Sequence, residues 1–282
     1  DEFVENYVAS HHHEIYLFGC IVTHYKWVKW LTVTIKHYHP SSTIIVGNSV
    51  SGSIPEVFLR NSKADIAVIG EGEITTLELL NTISQGKTIK DIEGIAYIDN
   101  GEFFQTKKRK ACKIDELPIT DWDLFDTEKY FEKTDYSMAE GLIVNPDNKP
   151  IVMPVVTARG CAFKCSFCHY VFWDDPYRFR SPNQIVGEIE RNMNKYGASY
   201  FNFWDDLSFG SLPQAERLAD AILASGLEFK WSSTIRADLF GDPRHPYKRR
   251  RAVAEKFRMA GCQATSFALE SGDPTILELM NK

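Results

Sequence analysis

Short continuous apolar runs alternate along the chain with stretches in which apolar residues recur every three or four positions, the marks of buried strands and of helices. Residues 1–13 are polar and carry no period. Residues 14–20 predict a buried strand, and 25–38 a helix on Trp27, Trp30, Leu31, Ile35 and Tyr38, closed by His39-Pro40. A second strand is expected at 43–46, a short helix at 54–60 with Pro55 in its first turn, and a third strand at 64–69. Residues 74–84 predict a helix with Ile74, Leu77, Leu80 and Ile83 inward and Gly86 past its end. Asn100-Gly101 between two apolar runs predicts a β-hairpin.

The alternation then pauses. Residues 114–150 hold Pro118, Pro146 and Pro150 and read as a connector anchored by Trp122, Leu124 and Phe125. Strands are expected again at 151–156, 200–204, 229–235 and 264–269, with helices at 213–225, 247–260 and from 275 onward. A helix begins at Ser181-Pro182 with Gln184 three residues after the cap, buries Ile185, Ile189 and Met193, and stops at Gly197. Leu218, Ile222 and Leu223 mark the inner side of the next helix.

Strand–helix alternation with short connections implies parallel sheets in an α/β chain. Residues 1–113 predict a partial Rossmann-like, doubly wound domain ending in a hairpin. Residues 151–282 predict about four βα units, an open half-barrel rather than a closed one. On this reading both domains are incomplete.

Composition narrows the function classes. The chain has 282 residues, room for two domains, and a net charge of −6, which excludes a general attraction to nucleic acid. The basic runs at 107–110 and 248–251 read as solvated surface, as does His11-His12-His13. No apolar run reaches membrane-spanning length and no signal peptide is visible, so a cytoplasmic protein is expected. Six cysteines, three of them clustered, suit a reducing compartment.

The cluster is Cys161-Ala-Phe-Lys-Cys165-Ser-Phe-Cys168, set just after the strand at 151–156. Soft thiolates this close select zinc, cuprous copper or an iron–sulfur cluster, and three of them cannot pair off as disulfides. Three ligands on a four-iron cube leave one iron open. A structural zinc site, with His169 or Cys262 as fourth ligand, is the other reading, although no second cysteine or histidine pair supports it. The spacing, with Phe167 before the last cysteine, resembles that of the radical S-adenosylmethionine (SAM) enzymes. The resemblance implies a [4Fe–4S] cluster on Cys161, Cys165 and Cys168 whose fourth iron chelates the SAM amine and carboxylate. One electron then cleaves SAM to a 5′-deoxyadenosyl radical.

Catalytic groups of βα barrels collect at the carboxyl ends of strands. Here those ends carry the cysteines, Asp205-Asp206, Ser232 with Arg236, and Glu270. By resemblance Asp205 or Asp206 accepts from the SAM ammonium, Glu270 contacts the ribose, and Phe167 lies near the adenine. The planar fork of Arg236 suits the carboxylate, with Ser232 assisting. Trp204 and Trp231 read as core aromatics or as shields for the radical.

The first domain resembles the cobalamin-binding domain that precedes many radical SAM domains, through Ile44-Ile-Val-Gly47-Asn48, Ala64 to Glu73, and Asp115-Glu-Leu-Pro118 with Trp122 to Phe125. The family's Asp-x-His-x-x-Gly motif is absent, and its Gly-Gly loop reads Gly47-Asn48. The resemblance implies corrin contacts from Thr23, Gly47, Asn48, Gly70, Glu71 and Gly72. The expected function is a cobalamin-associated radical SAM enzyme, a methyltransferase or a cyclase-like enzyme. It would act on a small molecule, with flavodoxin or ferredoxin as reductant. The alternatives are a methylthiotransferase using Cys20 and Cys112, or a zinc-stabilised or inactive binding module.

Overall fold

A computed structural model describes residues 2–133, 150–168 and 176–282. Of the described residues, those up to Ala111 form one unit, and Cys112–Cys168 with the chain from 176 onward form another.

The first unit comprises α1 (Glu2–Ser10), β1 (Ile15–Gly19), α2 (Tyr25–Tyr38), β2 (Thr43–Gly47), α3 (Asn48–Ser53), α4 (Pro55–Asn61), β3 (Ile66–Val68), α5 (Gly72–Ser84), β4 (Ile95–Asp99) and β5 (Glu102–Gln105). The sheet runs β1-β2-β3-β4-β5. Strands β1 to β3 are parallel, and β4 and β5 join antiparallel. The hairpin forms where Asn100-Gly101 predicts it, with both residues at positive φ (50° and 85°). On one face, Val28, Leu31 and Ile35 of α2 and Phe58 and Leu59 of α4 pack against Ile44, Val46 and Ala67. On the other, Leu79 of α5 packs against Ile45, Ile66, Val68 and Ile95. Helices therefore cover both faces, but the strand order never doubles back as a doubly wound sheet would.

Three local expectations change. Residues 1–13 contain α1, held by Val8, which packs into the α2 face of the core. One buried apolar residue in a polar stretch is too weak a period to detect. The polar helix α3 is likewise silent in the sequence. On α5 the inward side is Thr75 and Leu79, with Leu80 and Ile83 partly covered, while Ile74 and Leu77 face solvent. Thr75 tolerates burial because its hydroxyl donates to the Glu93 carbonyl (3.3 Å) and accepts from Arg109 Nε (2.9 Å).

In the second unit, α6 (Thr127–Lys133) follows two single 3-10 turns at Ile114–Glu116 and Trp122–Leu124. Then come β6 (Ile151–Val155), β7 (Ala158–Arg159), β8 (Arg178–Phe179), α7 (Pro182–Tyr196), β9 (Ala198–Phe203), α8 (Leu212–Ser225), β10 (Lys230–Thr234), α9 (Asp238–Gly241), α10 (Tyr247–Met259), β11 (Cys262–Ser266) and α11 (Pro274–Leu279). Four strands lie parallel in the order β11-β10-β9-β6, the arc expected from the alternation. Ile185 and Ile189 of α7, Leu218 and Ile222 of α8 and Phe257 of α10 bury one face of it against Met153, Phe201, Phe203 and Trp231. Leu223, expected inward on α8, is more than a third exposed. Gly261, at φ +89°, brings β11 alongside β10 where a Cβ would stand 2.1 Å from the Phe229 carbonyl oxygen. No other residue fits there.

The connector is tied to α7. Asp115 accepts from the Ser181 amide (2.9 Å), and its carbonyl accepts from Gln184 Nε2 (3.1 Å). The expected capping box at Ser181 is thus replaced by a cap from a residue far away in sequence. Arg191 donates to the Thr120 carbonyl (2.9 Å), and Asp123 accepts from Lys195 and Tyr196. Of the three expected anchors, only Trp122 packs against the core. Leu124 is 80% exposed and Phe125 tilts against Trp122 at 6.0 Å. The connector's later residues, including Pro146, lie outside the described residues.

Candidate functional site

The cysteine segment leaves β6 through Thr157 and turns at Gly160, φ 74°. Thr157 is fully buried, and the turn is fixed from across the sheet. Asp205, just past β9, accepts from the Thr157 amide (2.8 Å), the Thr157 hydroxyl (2.5 Å) and the Ala158 amide (3.0 Å). Burial pushes the Asp205 carboxyl up, while those hydrogen bonds pull it back towards the charged form. Of the Asp205-Asp206 pair, Asp205 therefore shapes the loop, and Asp206 stays exposed beside it.

Burial pushes the Cys161 thiol up, and charge on Cys168, Cys165 and Asp206 acts the same way, so these four groups share one electrostatic site. Cys165 is buried, Cys161 partly buried and Cys168 exposed, and none of the three is in a disulfide. Among the described residues no three His, Cys, Asp or Glu side chains already converge as on a single metal ion. An iron–sulfur cluster asks for something wider, because each cysteine ligates its own iron. Three soft thiols on one loop, graded from buried Cys165 to exposed Cys168, fit that group.

Neighbouring elements hold the loop. The Ser166 amide donates to the Met280 carbonyl (2.8 Å) and Asn281 Nδ2 to the Lys164 carbonyl (2.9 Å). Glu270, at φ 61°, pairs with Lys282 (2.9 Å), whose ammonium lies 5.7 Å from the Phe167 ring centre. Glu270 and Phe167 are thus brought together. Arg236 stacks on Phe163, inside the cysteine segment, at 3.7 Å. Ser232 is not at this rim. Fully buried in β10, it donates to Asn202 Oδ1 (2.6 Å) on the sheet face opposite Phe201 and Trp231.

Cys262 opens β11, whose far end lies level with the ends of β9 and β10, so it sits at the opposite edge of the sheet from the cysteine loop. Its thiol donates to the Ala264 carbonyl (3.6 Å). That removes it as a fourth zinc ligand. His169, the other one considered, lies outside the described residues. Trp231 belongs to the core, where it stacks on Phe203 at 4.7 Å and donates to the Ala260 carbonyl (2.8 Å). Trp204 stands on the rim, 72% exposed.

Sequence reasoning missed Tyr177. Its hydroxyl donates to the Ser208 carbonyl (3.1 Å) and accepts from the Gly210 amide (2.9 Å), fixing the loop beyond Asp205-Asp206. Burial pushes this phenol well up, so it stays protonated. The buried Arg180–Glu188 pair (2.5 Å) was missed as well. With Arg159, Pro154, Val156, Trp204 and Trp122 it lines a cavity of about 330 Å³, the size of a small-molecule site. No short motif signals either feature.

The first unit carries its own concavity of about 300 Å³ at the carboxyl ends of β1, β2 and β3. Gly47, Asn48, Gly70 and Gly72 line it, together with Gly19 and Thr76. Asn48 has φ 76°, a conformation that asparagine tolerates far better than most residues, so Gly47-Asn48 makes the turn expected of Gly-Gly. Gly19 and Gly47 end β1 and β2, and Gly70 and Gly72 follow β3, so backbone without side chains forms much of a cradle that a flat ligand can approach closely. Thr23 is exposed in the turn after β1. Glu71 precedes α5 as its N-cap. Neither is part of the lining.

Residues 155–282 match the model of the Radical SAM superfamily. The chain is similar to an uncharacterized methyltransferase of Pyrococcus horikoshii, 28% identical over 250 residues that cover 88% of this chain and 49% of that protein. It is also similar to the anaerobic magnesium-protoporphyrin IX monomethyl ester cyclase of Rubrivivax gelatinosus, 27% identical over 255 residues, 88% of this chain and 42% of that one. The chain thus spans about half the length of these relatives. Among solved structures, the cobalamin-dependent S-adenosylmethionine radical enzyme OxsB superposes with a TM-score of 0.77 at 18% identity, covering 100% of this chain and 39% of OxsB. The radical S-adenosylmethionine methyltransferase TsrM of Kitasatospora setae gives 0.71 at 15% identity, covering 98% and 52%. These two likenesses establish the fold.

Proposed function

We propose, from a chain whose residues 155–282 belong to the radical SAM superfamily, that the protein is a cobalamin-dependent radical SAM enzyme. It would act on a small molecule by methyl transfer or by a radical ring-forming or rearranging step. The observation that carries this reading is the loop at the end of β6. It offers Cys161, Cys165 and Cys168 together, shaped by Asp205 and bordered by Asp206.

When bound there, a [4Fe–4S] cluster with one open iron would supply the electron that breaks SAM homolytically. This chain's residues do the rest. The three cysteines ligate. Asp206, whose carboxyl burial pushes up, accepts from the SAM ammonium. Glu270 and Phe167, joined through Lys282, border the nucleoside. Asp205 and Tyr177 keep the loops fixed while charge changes nearby. The cavity beside Trp204 and Arg159 has the mixture of apolar lining and a few charged groups, Arg159, Arg180 and Glu188, of a substrate pocket.

Cobalamin would lie at the glycines that end β1 and β2 and follow β3. Structures of OxsB hold aqua-cobalamin and S-adenosylmethionine, and one of TsrM holds cobalamin and a [4Fe–4S] cluster. Free thiols at the loop suit a reducing cytoplasm and a flavodoxin- or ferredoxin-type donor. Among the described residues no helix is long and apolar enough to cross a membrane. The methylthiotransferase reading loses support because Cys20 is wholly buried in the first unit's core.

Product analysis tests the proposal. The reduced, reconstituted chain with SAM and hydroxocobalamin is expected to show a protein-bound corrin band and to release 5′-deoxyadenosine. Accompanying S-adenosylhomocysteine points to methyl transfer, and its absence to cyclisation or rearrangement. A chain that binds neither corrin nor SAM overturns it.

A further inference from the structure

Arg236 occupies an unusual position for a residue expected to clamp a carboxylate. Its Nε and Nη2 already donate to Asp238, at 3.1–3.2 Å. Its flat face lies on the Phe163 ring at 3.7 Å. The remaining amino group, Nη1, donates to Cys165 Sγ at 3.6 Å. The side chain is only 17% exposed, and Cys165 is the buried member of the cysteine trio. Both edges and one face of the guanidinium are therefore engaged before any ligand arrives.

We propose that Arg236 is a positioning residue for the cluster rather than a SAM clamp: a cation held against the Cys165 sulfur that makes the cluster easier to reduce. This rests on the cluster assignment under Proposed function. Reduction adds one negative charge to the iron–sulfur–thiolate unit. Hydrogen bonds to ligand sulfurs and nearby charge set the potential of such units. A fixed positive charge in a partly buried site favours the more negative state, and little water screens it. Asp238 opposes this only in part, because its side chain is 49% exposed and solvated. Phe163 holds the guanidinium in place through its ring face. In the step itself one electron passes from a low-potential donor to the cluster. Arg236 keeps its proton, and no bond to it forms or breaks.

The test is a mediated redox titration of the full chain after anaerobic reconstitution, followed by electron paramagnetic resonance, with iron content measured on every sample. Arg236→Gln is expected to lower the ratio of reduced to oxidised cluster at least tenfold at a fixed potential, a downward shift of about 59 mV or more for a one-electron couple. Arg236→Lys, which keeps the charge, should recover most of that shift. Asp238→Asn, which leaves Arg236 and Cys165 intact, should move the midpoint upward. Equal midpoints in fully loaded wild type and Arg236→Gln overturn the role of Arg236 and leave the cluster assignment standing. If Arg236→Gln takes up no iron, Asp238→Asn decides: an unchanged or lower midpoint overturns the proposal. A wild-type chain that takes up no iron ends both readings.

Discussion

Two cysteines of the second unit illustrate how far one residue's neighbourhood decides its chemistry. Cys165 and Cys262 are both largely covered, but Cys165 faces Arg236 on a loop, while Cys262 sits in a strand against the core. Burial pushes the Cys262 thiol from 9.0 up to about 12. A raised thiol pKa contributes stability that is complete below 9.0 and is lost as pH rises towards 12. At pH 8 the folded chain should alkylate at Cys262 about a thousandfold more slowly than the urea-unfolded chain, from the difference in thiolate fraction. Peptide mass spectrometry after iodoacetamide treatment measures this, and equal rates would contradict the burial. The spacing of Cys161, Cys165 and Cys168 is local, and so is legible in the order of residues alone. The division of labour between Asp205 and Asp206 is not, because the Thr157 and Ala158 amides that fix it lie almost fifty residues earlier in the chain.

Elements repeat that lesson. Strands and long helices declare themselves through period and punctuation, and Asn100-Gly101 fixes a hairpin. Helix α1 does not, since one buried valine supports it. The inward side of α5 is misjudged because Thr75 enters the core by satisfying its hydroxyl through Glu93 and Arg109, which no apolar count can foresee. The link between β6 and the cysteine loop allows a quantitative check. Asp205→Ala leaves two amides and a hydroxyl unpaired, and should cost roughly 1–3 kcal/mol in urea denaturation. Asp205→Asn can still accept both amides at Oδ1 while the Thr157 hydroxyl turns to accept, so stability should stay near wild type. Because burial raises the Asp205 pKa, its protonated form is the favoured one in the fold. Wild-type stability should therefore decline as pH rises through that carboxyl's titration, and Asp205→Asn should lack this decline. Equal losses in the two variants would mean that Asp205 acts through its charge, not through the loop.

At the scale of the whole molecule, the chain joins a mixed sheet, with glycines at or just past the carboxyl ends of its parallel strands, to a four-stranded βα arc with a thiol-bearing loop. Each unit places its candidate ligands at the carboxyl ends of parallel strands, where backbone and loops approach bound groups. Family and fold are legible in the sequence because they rest on spacing and alternation. The cavity beside Arg180–Glu188 and the capping of α7 by Asp115 are not, because distant segments build them. Mössbauer spectroscopy of the chain reconstituted anaerobically with iron-57, before and after addition of SAM, bears most directly on the whole reading. About four irons per chain are expected, one of them changing its parameters when SAM is added, and Cys165→Ala should abolish the signal. Stoichiometric zinc in place of iron, or a cluster whose irons are all indifferent to SAM, would contradict it.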